Sequence, residues 1–178
     1  LTARKKSLWA LLLVSLVPLA LAFLMYFQQL WLPTSTTNEG ELLLPPEQLL
    51  EDSLVYHKLS QDMKDERQWR LLINIEGACN QSCLENLHVL RQVHIALGKE
   101  AHRVTRILLL NEQMLKGLGT DYPHMLKAKP KNGFTLKRGE GVYLVDPLDN
   151  IMMYYTFSQI GKSMLKDIKK LLKNSNIG

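Results

Sequence analysis

Cys79 and Cys83 are the two cysteines of the chain, and they enclose Asn80-Gln81-Ser82. They follow the apolar run Leu71-Leu72-Ile73-Asn74-Ile75 and precede a segment with helical period. That order puts both thiols at a strand-to-helix turn, where the unsatisfied N–H groups of the helix end favour thiolate over thiol. A thiolate pair either closes a disulfide or holds a soft metal such as Cu(I), so redox and copper chemistry are the two functional readings. The plain alternative is a structural disulfide or two inert buried thiols. A separation of four residues brings the pair within about one helical turn, so a bridge is feasible, but it closes a very small loop. Such a loop constrains the unfolded chain far less than a long-range bridge, which favours a functional pair over a structural one.

The remaining donor side chains follow from helical geometry. His94 lies on the Cys83 face but about 16 Å up the axis, too far to share a metal, and His88 points about 140° away. His94 reads as a satisfied core or border histidine. His124, beside Pro123 and Met125 in a long loop, is the candidate third ligand to a metal held by Cys79 and Cys83. Met114, Met125, Met152 and Met153 offer soft thioethers but read as core filler. Glu76 and Glu85 flank the thiols and, where close, oppose thiolate formation; solvated charges are the simpler reading. His57 and His102 sit in no motif.

The elements that must position the pair are readable in pattern. Trp69 to Ile75 reads as a strand, and Ser82 to Leu97 as a helix with Cys83, Leu87, Leu90, His94 and Leu97 along one face, ended by Gly98. Val104 to Leu110 reads as a second buried strand and Asn111 to Leu118 as one or two helical turns. A long polar connection, Thr120 to Gly141, follows. Val142 to Asp146 and Ile151 to Phe157 flank the turn Pro147-Leu148-Asp149-Asn150 and predict an antiparallel hairpin. Ile160 to Lys173 closes the chain as a helix with Met164, Leu165, Ile168, Leu171 and Leu172 on one face. Nearer the N-terminus, Glu47 to Tyr56 reads as a short helix and Gln61 to Glu66 as a polar break. A parallel pair with a crossover helix, then a hairpin, predicts an α/β fold: a thioredoxin-like mixed sheet flanked by helices.

Ahead of that domain, Ser7 to Thr37 holds no charged side chain, and Leu8 to Phe27 is almost wholly apolar. Twenty helical residues cover about 30 Å, the thickness of a bilayer core. The run is longer than a signal-peptide core and lacks a small-x-small cleavage site, so an uncleaved anchor is the preferred reading. Pro18 is tolerated in a lipid-embedded helix, and Trp9 and Trp31 suit the interfaces. Arg4, Lys5 and Lys6 orient the anchor by the positive-inside rule, away from the cytoplasm. The expectation is a single-pass inner-membrane protein with its C-terminal domain in the periplasm, where disulfides persist. Its parts are a stub and anchor over 1–32, a linker over 33–46, within which Leu42-Leu43-Leu44-Pro45-Pro46 reads as a short edge element stopped by the prolines, and the domain over 47–178. Without those three cations, 19 of the 22 basic residues face 17 acidic ones, a balance that calls for no nucleic acid.

Strand, Cys-x3-Cys, helix, strand, and later Tyr143-Leu144-Val145-Asp146-Pro147 with a following strand, resemble the Sco family of thioredoxin-like, membrane-anchored proteins. The resemblance runs from about Trp69 to Lys173. It implies a role in assembling the copper centre of cytochrome c oxidase, with an oxidase subunit or a copper chaperone as partner and Cu(I) as cargo. Family members carry proline after each cysteine, where this chain has Asn80 and Leu84. Their third copper ligand is a histidine whose position matches Arg138, and a guanidinium stays protonated and cannot ligate copper. The resemblance therefore implies a divergent member lacking the distal histidine, in which Arg138 favours the thiolates if the fold brings it to them. Three readings stay open: a thiol-disulfide oxidoreductase on Cys79 and Cys83, a Cu(I) chaperone with His124 or an external third ligand, and a non-enzymatic interaction domain.

Overall fold

The computed structural model describes residues 2–28, 37–50, 53–57, 67–111, 125–131, 133–175 and 177. Two compact units emerge, Leu1–Thr37 and Asn38–Gly178. The first is helix α1, Thr2–Phe27. Its segment Trp9–Phe27, 19 residues with mean hydropathy 2.5, is long and apolar enough to cross a membrane. The Ser15 hydroxyl donates to the Leu12 carbonyl at 3.0 Å, which satisfies it within the helix and suits apolar surroundings.

The second unit is built on a seven-stranded sheet. Its strands are β1 (Glu41–Gln48), β2 (Leu54–His57), β3 (Trp69–Asn74), β4 (Val104–Leu109), β5 (Met125–Pro130), β6 (Gly141–Val145) and β7 (Asn150–Tyr155). Their spatial order is β1-β7-β6-β3-β4-β5-β2. Helix α2, Gln81–Ala96, and a 3-10 turn, Gly98–Arg103, carry the chain from β3 to the parallel β4, in the register Trp69↔Val104 to Asn74↔Leu109. β6 and β7 form the expected hairpin, antiparallel to each other, and β6 pairs antiparallel with β3. Helix α3, Lys162–Asn174, follows β7.

β3 lies at the centre with Leu71, Leu72 and Ile73 fully buried, as an unbroken apolar strand must be when both faces are covered. Leu71 and Ile73 join the cluster under α2 and α3 with Leu87, Leu90, Met164, Ile168 and Leu172. Leu72 joins the opposite cluster with Ile107, Leu109, Tyr143, Val145 and Tyr154, to which Phe134 and Leu136 add partial cover. The α2 face is the expected one with a single exchange. Val93 is buried, and His94 sits at the border, its Nε2 2.8 Å from the Val104 carbonyl.

Three expectations are corrected. The short helix over Glu47 to Tyr56 is absent: Glu41–Gln48 pairs with β7, and Leu54–His57 pairs with β5. The polar connection Thr120 to Gly141 contains β5, which lies parallel to β4 and presents Met125 and Ala128 inward. Lys127, Lys129 and Pro130 mask its apolar alternation. Residues 41–46, assigned to the linker with a short edge element at Leu42 to Pro46, lie in the sheet's edge strand, which runs on past the prolines to Gln48. Pro45 and Pro46 contribute no N–H, and the β1–β7 register breaks between Leu42 and Glu47. The segments 58–66 and 112–124 lie outside the described residues, and with them the Gln61–Glu66 break, most of the Asn111–Leu118 helix, Met114, Pro123 and His124.

Asp167 holds the entry to this unit. Its buried carboxylate accepts the N–H groups of Glu39 at 2.8 Å and Gly40 at 3.0 Å, and the Tyr155 hydroxyl at 3.2 Å. Burial pushes the Tyr155 phenol far above its ordinary range, and the Asp167 charge adds to this, so Tyr155 stays a neutral donor. Residue 40 must be glycine, because a Cβ there would enter the Tyr155 ring.

Candidate functional site

Cys79 and Cys83 form a disulfide with Cα atoms 5.2 Å apart, inside the range an unstrained backbone allows. They sit where β3 passes into α2, as the strand-to-helix pattern predicts. Cys83 is buried beneath the first turn of α2, and Cys79 lies half-buried on the loop before it. The helix begins there because Asn80 caps it. In extended conformation, its Oδ1 accepts the Cys83 N–H at 3.0 Å, and its carbonyl accepts the Leu84 N–H at 3.1 Å. Asparagine stands where proline would follow the first cysteine, and its side chain meets the helix N-terminus directly.

Two further asparagines frame the turn. Asn111, just past β4, donates to the carbonyls of Ile75 at 3.1 Å and Gly77 at 2.8 Å, tying down the loop that leads to Cys79. Asn74, the last residue of β3, donates to the Gly139 carbonyl at 2.8 Å. Tyr143 donates to the same carbonyl at 2.9 Å, and Tyr154 to that of Glu140 at 2.6 Å, with the two rings 5.0 Å apart. Burial raises the Tyr143 phenol to about 12, so its hydroxyl remains a proton donor to the loop at neutral pH. Gly139 takes φ +70°, and a Cβ there would lie 2.9 Å from Glu76 Oε1, so the loop packs closely on the residue that leads into the cysteine turn.

The loop from Leu136 to Glu140 is thus brought to the cysteine end of the sheet, and the Arg138 guanidinium is exposed and paired with Glu41 at the start of β1. Glu76 and Glu85 are exposed, and Glu85 Oε1 accepts from Gln81 at 3.2 Å. His88 is exposed. Met125 and Met153 are core residues and Met152 is packed against the core, as filler should be. Among the described residues, no group of three His, Cys, Asp or Glu side chains is placed to hold a metal ion. In the disulfide the two sulfurs have no thiolate to offer, so the described donors do not fit Cu(I) in this state. His124 lies outside the described residues, as stated above. The sequence reading gives Asn74, Asn80 and Asn111 no role at the site. Only Asn80, directly ahead of a periodic helical run, carried a readable signal, that of an N-cap.

A family model described as "Transmembrane-like, thioredoxin-like, C-terminal domain" matches residues 69–175. No curated protein matches the sequence. Among solved structures, the chain is similar to the solution structure of apo Sco1 protein from Thermus thermophilus, at 12% identity and a TM-score of 0.49, covering 79% of this chain and 98% of that one. The mixed sheet flanked by helices is the thioredoxin-like fold that the Sco resemblance implies, and it is preceded by one apolar helix.

Proposed function

The chain belongs to the transmembrane-like, thioredoxin-like C-terminal domain family, and from that premise we propose that it is a membrane-anchored, Sco-like accessory protein of cytochrome c oxidase assembly. It works through the Cys79–Cys83 couple, with α1 as the anchor in the inner membrane and the folded unit in the periplasm. The observation that carries this reading is the unequal exposure of a bridged pair at the capped start of α2, Cys79 half-buried and Cys83 buried.

The chemistry follows from that inequality. In the dithiol form, the Cys79 thiolate attacks a disulfide on the partner, an apo-oxidase copper-site subunit or a copper chaperone. A mixed disulfide forms and one partner thiolate leaves. Cys83 then attacks Cys79 Sγ, which regenerates the intramolecular bridge and releases the second partner thiolate. Two electrons pass to the partner, whose two thiolates take up two protons, and an external dithiol reductant restores the pair. Asn80 spends its side chain on the Cys83 N–H, so the turn keeps its shape when the bridge opens.

Trapping decides the matter. In Cys83→Ser the mixed disulfide through Cys79 cannot resolve, so a covalent adduct with the partner accumulates and is released by dithiothreitol; Cys79→Ser gives none. A Cys79→Ser/Cys83→Ser protein that fully supports oxidase assembly overturns the reading and leaves a non-enzymatic interaction domain. Cu(I) titration of the reduced protein against a chelator tests the chaperone alternative, which needs a third donor such as His124. Tight binding lost in His124→Ala would establish it.

A further inference from the structure

The outer face of α3 is a ridge of lysines. Lys162, Lys166, Lys169, Lys170 and Lys173 are all exposed and fall within about 100° of the helix circumference over about 16 Å of length. Met164, Asp167, Ile168 and Leu172 occupy the buried side. Lys99, on the 3-10 turn and 4.0 Å from the Glu100 carboxylate, extends the row, and an open groove of about 500 Å³ between the C-terminal ends of α2 and α3 is lined by Lys99, Lys169 and Lys173 together with Glu100 and Arg103. Lys166 is paired with Glu39 at 2.8 Å, while among the described residues no carboxylate pairs with Lys162, Lys169 or Lys173. Arg103 does not belong to the ridge: it donates to the carbonyls of Leu172, Ser175 and Ile177 and closes the end of α3. Like charges four residues apart destabilise a helix, so this spacing runs against the helix's own stability.

We propose that this ridge docks the folded unit on the anionic phosphate headgroups of a lipid bilayer. The inference rests on the membrane-anchored reading above. Two observations select lipid. The chain enters the folded unit beside the ridge, because the N–H groups of Glu39 and Gly40 are bound to Asp167 and the Glu39 carboxylate to Lys166. Nine residues lie between Gln28 and Asn38, and the ten peptide steps between them span at most about 35 Å, so headgroups stay at high effective concentration. The cations are also all lysine, a flexible point charge suited to a fluid field of phosphates; arginine forks would suit the fixed carboxylates of a protein partner. With α3 lying along the surface, the cysteine turn, which shares the end of the sheet where α3 begins, faces sideways toward membrane-embedded partners.

The test uses the full chain in nanodiscs, one set of phosphatidylcholine and one of phosphatidylcholine with phosphatidylglycerol, and reads lysine acetylation rates by mass spectrometry. Lys162, Lys169 and Lys173 should label at least about fivefold more slowly in the anionic discs, with Lys129 on β5 unchanged and the protection lost in high salt. In Lys162→Glu/Lys169→Glu/Lys173→Glu, whose fold is checked by thermal melting, Lys166 should label at one rate in both discs. Equal labelling of the native ridge in the two discs overturns the docking alone, since the chain has then still entered the discs. Failure of the chain to co-purify with either disc overturns the anchor reading as well. Protection that requires an added acidic protein and not anionic lipid replaces the inference with a protein partner.

Discussion

Helices α2 and α3 pack on the same face of the sheet and run in the same direction, yet they are held in different ways. α2 is fixed at its start: Asn80 caps it, the Cys79–Cys83 bridge crosses its first turn, and Asn111 pins the loop before it. α3 starts at Gly161 with no side-chain cap, and a carboxylate at mid-length, Asp167, staples it to the chain's entry at Glu39 and Gly40. Their outer faces differ as well. That of α2 mixes Glu85, His88, Arg91 and Gln92, and that of α3 is lysine. The helix that begins at the cysteines is anchored at that end, where a small displacement would part the sulfurs. The other is anchored at its middle, with its lysine face exposed.

Substitutions can break or sharpen this contrast. Leu87→Ala, beneath α2 at 1% exposure, removes a side chain from a packed core and should cost about 2–5 kcal/mol in urea unfolding. Leu171, half-buried on α3, should cost clearly less when changed to alanine; equal losses would show that the two helices are held alike. Asp167→Asn retains the shape but removes the charge accepting two backbone N–H groups, and should cost about 1.5–3 kcal/mol. Hydrogen exchange should then rise at Glu39 and Gly40 and not at the cysteine turn. Asn80→Ala should cost about 0.5–2 kcal/mol. Its sharper effect should be on the pair: with the Cys83 N–H unbound, the dithiol reduction potential and the pH profile of Cys79 alkylation should both move. A potential unchanged from the native protein would reduce Asn80 to a structural cap.

Much of the core scaffold was legible because its signals are local. The buried strands β3, β4, β6 and β7 each hold a short run of apolar residues, and α2 and α3 each show a 3.6-residue period. β2, four residues at the edge of the sheet, and β5 beside it escaped because they carry Tyr56-His57 and Lys127-Ala128-Lys129-Pro130, sequences whose strand character depends on pairing with each other and with β4. β1 was legible in part, as an edge element at Leu42 to Pro46; its continuation past Pro45-Pro46 to Gln48 was not, because only an edge position with a broken register accommodates the prolines. At the site, the cysteines' place at a strand-to-helix turn was readable, and so was an arginine, Arg138, in the loop before Tyr143. The partner of that arginine, Glu41, was not.

The sequence by itself determined where the reactive pair falls, which strands and helices bracket it, and that an apolar helix of membrane-spanning length precedes the domain. Periodicity and helix-end chemistry act over a few residues, so order along the chain suffices to see them. Tertiary structure alone decided what surrounds the pair: Asn111 reaching back 34 residues to Gly77, Asn74 meeting Gly139 across 65, Arg138 finding Glu41 across 97, and Asp167 holding Gly40 across 127. A polar side chain accepts any partner of suitable geometry, so its choice is made by which loops the folded sheet brings within about 3 Å.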